Sequence, residues 1–336
     1  MKKKILFRAD GNSEIGLGHL YRLFALVEMY KEDYEFTFIT KNNSTISVIP
    51  KEYPIVILPQ EISIEREPEW LAKKYNATKY IIIADGYQFI SSYQKEIKKQ
   101  GFQLMYIDDL TTEYMHADIV VNHSPSVKKE DFNSKKQTEF ALGTEYAILR
   151  PMFIEATKQK RNIIKLDTAF ICFGGSDMYN LSIIATKALL EKRQFKKIYI
   201  VLGAAYKHIE IFKLASKNKN IEIIQNASEK KMVSIMKQSN FAIAPASTIL
   251  YELCCVKMPI LSGYYVKNQE LIYKGFLENK TIFEAGDFST YIKEDFKNKI
   301  NQVIKKGEYN TYTKAQEKLF NPKIKDNFLN LIKNKC

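Results

Sequence analysis

Residues 5–19, ILFRADGNSEIGLGH, decide the fold of the amino-terminal half of this chain. A short apolar strand over residues 5–7 runs into a polar turn that holds Gly11, Gly16 and Gly18. The apolar residues that follow have the i, i+3, i+4, i+7 spacing of one buried helix face: Leu20, Leu23, Phe24 and Val27. A strand that enters a helix through a glycine-rich turn predicts the first unit of a parallel α/β sheet.

His19 falls in the first turn of this predicted helix, at the carboxyl end of the strand. Open α/β sheets bind their ligands at that end, and the free N–H groups and positive dipole of a helix start favour an anion. A neutral imidazole beside a bound phosphate can act as a general base. His19 could equally cap or pack the first turn, and both interpretations fit this stretch.

Two familiar nucleotide-binding motifs are excluded. The third glycine of a dinucleotide fingerprint would fall at position 21, which is Tyr21, and the second strand ends in Thr40-Lys41-Asn42, without an acid for a ribose. Gly-Lys-Ser/Thr occurs nowhere, which excludes a Walker-type loop. The turn can therefore hold a phosphate, but not as part of a nicotinamide or ATPase site.

The first half of the chain alternates apolar strands with amphipathic helices, the pattern of a parallel sheet covered on both faces. Strands are predicted over residues 4–9, 34–40, 54–58, 79–84, 102–107, 118–121 and 138–142, and helices over 17–31, 66–75 and 90–99.

A second unit of the same style begins with an apolar strand over residues 168–173. That strand ends in GGSD at 174–177, and a later strand over 241–244 ends in PAST at 245–248. The sequence therefore predicts two doubly wound α/β domains facing a cleft. We expect domains at 1–157 and 166–285, a linker between them, and a lysine-rich helical extension at 286–336.

Length and charge restrict the function classes. At 336 residues the chain exceeds what one core usually supports, which favours two domains. Lys and Arg total 51 against 38 acids, a net charge of +13, but the two signs are interleaved along the chain. This pattern suits an enzyme of anionic substrates better than a nucleic-acid-binding protein. The four cysteines have neither metal-ligand spacing nor the pattern of a disulfide framework.

No targeting or membrane segment is predicted. The start, MKKKILFRAD, has only three consecutive apolar residues before Arg8, too few for a signal peptide. No apolar run approaches the length that spans a bilayer. We therefore expect a cytoplasmic protein.

Seven blocks of the sequence, in this order, resemble the UDP-sugar hydrolases of pseudaminic acid biosynthesis. The blocks are FRADGNSEIGLGHLYR (7–22), IADGY (83–87), IDDLTTEYMHADIVVN (107–122), GTEYAILRPMF (143–153), CFGGSDMYNLS (172–182), APASTILYE (244–252) and YVKNQE (265–270). The resemblance implies the two-domain GT-B fold, built from Rossmann-like domains. It also implies inverting hydrolysis of UDP-2,4-diacetamido-2,4,6-trideoxy-β-L-altropyranose to the free sugar and UDP, with no metal and no other cofactor.

The same resemblance assigns the site residues. His19 would activate water, Asp10 and Tyr87 would line the sugar side, and Asn268 would reach the substrate from the second domain. Glu252 would contact the ribose hydroxyls. The residues assigned to the substrate or UDP as a whole are Gly16, Gly18, Arg22, Gly174, Gly175, Ser176, Asp177, Ser247, Thr248, Glu252 and Gln269.

The residues themselves favour the same chemistry. UDP is a good leaving group, so its displacement by water needs a base for the water more than an acid for the phosphate. Asp108-Asp109 is not an Asp-x-Asp pair and has no third acid placed to complete a metal site. We interpret it as a loop that closes the cleft or caps backbone N–H groups.

Two alternatives stay open from the sequence. One is a glycosyltransferase of the same fold, which would move the sugar from UDP to a hydroxyl acceptor. The other is a non-catalytic basic protein that binds RNA or nucleotides. The main hypothesis predicts a UDP-sugar as the partner, no nucleic acid, no membrane span and a monomer.

Overall fold

The computed structural model describes residues 2–333, which form two compact units. Within these residues, unit 1 comprises 2–151 and 323–333, and unit 2 comprises Met152–Pro322. Each unit is built around its own parallel sheet.

Unit 1 holds a seven-stranded sheet with the order β3-β2-β1-β4-β5-β7-β9, and every neighbouring pair is parallel. Its strands are β1 (Lys4–Ala9), β2 (Phe36–Lys41), β3 (Ile55–Leu58), β4 (Tyr80–Asp85), β5 (Gln103–Ile107), β6 (Tyr114–Met115), β7 (Ile119–Asn122), β8 (Asn133–Ser134) and β9 (Glu139–Leu142). Its helices are α1 (Gly18–Tyr30), α2 (Glu67–Lys74), α3 (Ser91–Lys99) and α12 (Ile324–Lys333). Strands β6 and β8 form a separate two-stranded pair.

The central strand β1 and the helix α1 that follows it are buried in unit 1. The β1 side chains from Ile5 to Phe7 are completely buried, because parallel sheets are covered on both faces. The predicted apolar face of α1 is buried as well: Leu20, Leu23, Phe24 and Val27. The strand–turn–helix prediction for residues 5–30 is therefore confirmed.

Unit 2 holds a six-stranded sheet with the order β12-β11-β10-β13-β14-β15, again parallel throughout. Its strands are β10 (Thr168–Ile171), β11 (Lys197–Leu202), β12 (Ile221–Gln225), β13 (Phe241–Pro245), β14 (Ile260–Tyr264) and β15 (Phe283–Asp287). Its helices, with α4 starting at the unit boundary, are α4 (Pro151–Ala156), α5 (Leu181–Leu190), α6 (Glu210–Ser216), α7 (Glu229–Gln238), α8 (Thr248–Val256), α9 (Glu270–Glu278), α10 (Lys293–Lys306) and α11 (Tyr309–Leu319). This is the 3-2-1-4-5-6 order of doubly wound nucleotide-binding domains.

The carboxyl-terminal region is divided between the units, whereas its lysine-rich helical pattern predicts one extension over 286–336. Helices α10 and α11 belong to unit 2, and α12 belongs to unit 1. The Tyr30 hydroxyl of α1 donates to the Phe328 carbonyl of α12 at 2.7 Å, and their rings meet edge to face. Because α12 covers part of α1, it is a structural element of the first unit.

The stretch predicted as a linker, 158–165, is also held within unit 2. Arg161 donates to the Ser239 carbonyl at 2.6 Å, and the buried Lys257 ammonium donates to the Thr157 carbonyl at 2.5 Å. None of the helices within residues 2–333 is both long and apolar enough to cross a membrane.

Candidate active site

His19 lies at the topological switch point of the first sheet, between β1 and β4, where the strand order reverses. Strand β1 has β2 on one side and β4 on the other, and its last residue, Ala9, pairs with Asp85, the last residue of β4. The turn after β1 contains Gly16 at a φ of +80°, a conformation that favours glycine. The chain then enters α1 with His19 as its second residue. Open α/β sheets bind ligands at such a switch point.

The His19 imidazole is oriented by a buried carboxylate. Its Nδ1 lies 2.8 Å from Oδ1 of Asp85, whose side chain is fully buried. A carboxylate oxygen only accepts, so Nδ1–H donates, and in the neutral imidazole the lone pair then lies on Nε2. The Tyr87 ring meets the imidazole edge to face, with centroids 4.8 Å apart at 87°. A histidine oriented by a carboxylate in this way can act as a general base.

Arg22 holds that carboxylate in turn. One turn after His19 on α1, its Nε and Nη2 donate to the two oxygens of Asp85, both at 2.6 Å. Its Nη1 and Nη2 donate to Asp109, at 2.7 and 2.8 Å. Burial alone would raise the pKa of Asp85, but the charge of Arg22 and the hydrogen bonds from Arg22 and His19 outweigh it and hold this pKa at about 2. Asp85 is therefore ionised throughout the neutral range.

The predicted substrate-binding role of Arg22 does not fit this geometry. Its three donor nitrogens are already engaged by two carboxylates, and only 9% of its surface is exposed. A phosphate would have to displace a carboxylate from a buried ion pair, which is costly. Arg22 therefore holds Asp85 and Asp109 in place.

Asp10 was also predicted to line the sugar side, and the structure instead commits it to the loop framework. Its oxygens accept from the buried Arg8 guanidinium at 2.6 and 2.9 Å, from the Lys41 N–H at 2.7 Å and from Gln88 at 3.1 Å. Arg8 is bonded on its other side by Glu67. Asp10 therefore ties the turns after β1, β2 and β4 together.

In unit 2 the predicted nucleotide loops follow β10, β13 and β14, at the carboxyl edge of the sheet. Gly175 and Ser176 are exposed, and Gly174 has a φ of +82°. Asp177 differs from its prediction as a UDP ligand. Its carboxylate accepts from the N–H groups of Leu181 at 2.8 Å and of Ser182 at 2.9 Å, so it caps α5 and is buried there.

The remaining predicted residues of this unit surround α8 and the start of α9. Ser247 is the N-cap residue of α8, and Thr248 is exposed at its first position. Glu252 lies one turn further along α8 and is 4% exposed. Asn268 is exposed, and Gln269 is buried with its Oε1 accepting the Tyr265 N–H at 3.1 Å.

Gly203, directly after β11, lies against the loop after β10 and provides a test of that contact. A Cβ at Gly203 would lie 2.4 Å from the Gly175 Cα, and backbone at that distance has to move. Gly203→Ala should lower the free energy of unfolding by about 1–3 kcal/mol. Gly175→Ala is the matched control, because nothing lies within 4 Å of its Cβ. Denaturant unfolding measures both, and equal stabilities would contradict the close approach.

Sequence reasoning missed Asp85 and gave Asp109 a different role. Asp85 ends a buried strand directly before Gly86, so it looked like an ordinary turn residue. A signal was present, because an acid at the end of one strand and a histidine after the neighbouring strand meet at the same sheet edge. That signal can be used only once β1 and β4 are known to be neighbours in the sheet.

The structure offers no site for a metal ion among the residues that it describes. Within residues 2–333, no group of three or more His, Cys, Asp or Glu side chains is placed to hold one.

The two parallel units define the GT-B class of fold. The crystal structure of MurG from Acinetobacter baumannii superposes with a TM-score of 0.68, covering 99% of both chains at 12% identity. No family model matches the sequence.

Among individual proteins, the UDP-2,4-diacetamido-2,4,6-trideoxy-β-L-altropyranose hydrolase of Campylobacter jejuni is 30% identical over 287 residues, which cover 80% of this chain and 93% of that protein. The chain belongs to this hydrolase family. The spore coat polysaccharide biosynthesis protein SpsG of Bacillus subtilis is 23% identical over 83% of the chain and 82% of its own length.

Proposed function

We propose that the chain hydrolyses UDP-2,4-diacetamido-2,4,6-trideoxy-β-L-altropyranose to UDP and the free sugar, with inversion and without a metal ion. The observation that carries the proposal is the His19–Asp85 pair at the switch point of the first sheet. Membership of the hydrolase family supports the substrate.

His19 is the general base in this proposal. Its Nε2 takes a proton from water while the water oxygen bonds to the anomeric carbon. The bond from that carbon to the β-phosphate oxygen breaks, and its electron pair leaves with UDP. Attack opposite to the leaving group converts the β anomer into the α anomer. Asp85 keeps the lone pair on Nε2 and stabilises the imidazolium that forms.

We assign the nucleotide to the loops of unit 2. Ser247 makes no side-chain bond to the described backbone of α8, and Thr248 at its first position is exposed. N–H groups at a helix start stabilise a leaving diphosphate. Gly174, Gly175 and Ser176 would contact the nucleotide from the loop after β10. Asp177 and Gln269 support these loops from buried positions.

Three further assignments complete the proposal. Tyr87 lies against the base and is 43% exposed, which suits a contact to the sugar. Glu252 would bind the ribose hydroxyls, and the exposed Asn268 would reach the substrate. Gly16 and Gly18 would let the substrate approach the turn before His19, because both are exposed and lack side chains.

A glycosyltransferase with a hydroxyl acceptor is the second candidate, because the GT-B fold fits it as well. The hydrolase and the glycosyltransferase differ in the nucleophile that attacks the anomeric carbon, which is water in the first and an acceptor hydroxyl in the second. The family relationship covers 80% of the chain at 30% identity, whereas the likeness to MurG is one of fold alone at 12% identity, so we favour water as the nucleophile.

The activity itself gives a direct test. The purified protein, given the UDP-sugar and no acceptor, should release UDP and the free α-anomer in equal amounts, followed by NMR. Turnover should persist in EDTA, because His19 and the helix start supply the proton transfer and charge stabilisation. Turnover that requires an added alcohol would support the transferase. Activity lost in EDTA and restored by Mg²⁺ or Mn²⁺ would contradict the metal-free mechanism.

A further inference from the structure

Unit 2 has a basic groove at the sheet edge opposite to its proposed nucleotide loops. The groove has a volume of about 480 Å³ and lies between the end of α9, the amino end of β15 and helices α10 and α11. A second hollow of about 380 Å³ continues it along α11 and shares Lys280 and Thr311 with it. All strands of this sheet are parallel, so the start of β15 at Phe283 and the loops after β10 and β13 lie at opposite edges.

The groove concentrates positive charge. Five lysines line the two hollows, against the two glutamates Glu284 and Glu308: Lys280, Lys299, Lys306, Lys314 and Lys318. Lys306 donates to the Tyr312 hydroxyl at 2.6 Å, which directs its ammonium over the ring of Tyr312. The buried rings of Phe283 and Tyr312 form the floor of the groove and stack with centroids 3.9 Å apart.

These lysines differ from their neighbours on α10. Lys293 and Lys297 both form ion pairs with Glu191, at 2.5 and 3.1 Å. In contrast, four lysines of the groove and its adjoining second hollow make no ion pair with any carboxylate in residues 2–333: Lys280, Lys299, Lys314 and Lys318. Unpaired like charges around two adjoining hollows repel each other, and an anion bound there would relieve that repulsion.

We propose that this groove binds a small molecule carrying two or more phosphate groups, separately from the catalytic site. Lysine ammonium groups are effective phosphate donors as point charges, and several of them around one groove favour a ligand with several negative charges. A volume of about 480 Å³ is the size of small-molecule sites, which favours a compact oligophosphate over a folded partner.

Inorganic tripolyphosphate is the probe, and amine acetylation followed by peptide mass spectrometry is the readout. In the full-length protein at 0.15 M salt, tripolyphosphate should slow the acetylation of Lys280, Lys299, Lys314 and Lys318 together, and the protection should weaken at higher salt. Because the modified lysines are identified one by one, binding in the groove is distinguished from phosphate binding at the nucleotide loops. Loss of catalytic activity would leave this test unaffected.

Charge reversal gives the matched comparison. Lys299→Glu combined with Lys314→Glu should weaken the protection of Lys280 and Lys318 by about tenfold or more. Lys213→Glu combined with Lys237→Glu makes the same change of net charge on α6 and α7 of the same unit. This control pair should change the protection of Lys280 and Lys318 by less than about twofold. Equal weakening by both pairs would show a diffuse surface field and overturn the proposal. Protection by poly-glutamate but not by tripolyphosphate would overturn it in favour of an acidic protein partner.

Discussion

Replacing His19 by asparagine should lower kcat for UDP-sugar hydrolysis by about 10²–10⁴-fold, the usual contribution of a positioned base. Asparagine fills a similar volume but takes no proton from water at neutral pH. UDP binding should stay within a few-fold of wild type, because we assign the diphosphate to the loops of unit 2. Steady-state kinetics and calorimetric titration with UDP measure the two effects separately.

The control for this substitution is His116→Asn. His116 lies in the same unit, packs beside Tyr114 and has no part in the bonds around Asp85. Its replacement should leave kcat within about twofold. A His19→Asn protein that unfolds like wild type and turns over at a similar rate would remove His19 as the base. A large loss of stability with unchanged turnover of the folded protein would instead identify a packing residue.

The strands and helices of unit 1 could be predicted well because their signals are local. The predicted strand over 4–9 is β1 at Lys4–Ala9, and the predicted helix over 17–31 is α1 at Gly18–Tyr30. Both signals come from the spacing of apolar residues, which depends on neighbours within one or two turns.

In the carboxyl-terminal region, local signals predict the helices but not the unit against which each helix packs. Its helical pattern was predicted, but the return of α12 to unit 1 depends on the contact between Tyr30 and Phe328, 298 positions apart. Helical periodicity identifies a buried face without identifying what covers it. The extension at 286–336 was therefore predicted as one piece, although its helices pack in two different units.

The residues of the candidate site show the same contrast between local signals and contacts over long sequence distances. His19 was found from its position after a strand and a glycine turn, which is local. The roles of Asp10 and Arg22 follow from partners far along the chain, such as Lys41 for Asp10 and Asp85 for Arg22. A charged side chain beside a phosphate-binding turn suggests a ligand contact, but three-dimensional pairing decides whether its hydrogen-bonding groups are free to make one.

Asp85 gives the second large effect that we expect. Asp85→Asn should lower kcat by about 10²–10⁴-fold with a smaller change in KM, because an amide can present its NH₂ group to Nδ1 of His19. The imidazole would then carry its proton on Nε2 and lose the lone pair that accepts from water. Steady-state kinetics with the UDP-sugar measure this effect, and circular dichroism checks that the variant is folded.

Asp109→Asn separates this role from the stabilisation of Arg22. Both carboxylates accept two hydrogen bonds from the Arg22 guanidinium, but Asp85 is the one that accepts from His19. Both substitutions should lower the free energy of unfolding by about 1–3 kcal/mol, since each removes charged hydrogen bonds from a buried cation. We expect Asp109→Asn to lower kcat by about tenfold or less. Equal losses of kcat in the two variants would show that the network acts only by holding α1 in place, and Asp85 would lose its role in orienting the base.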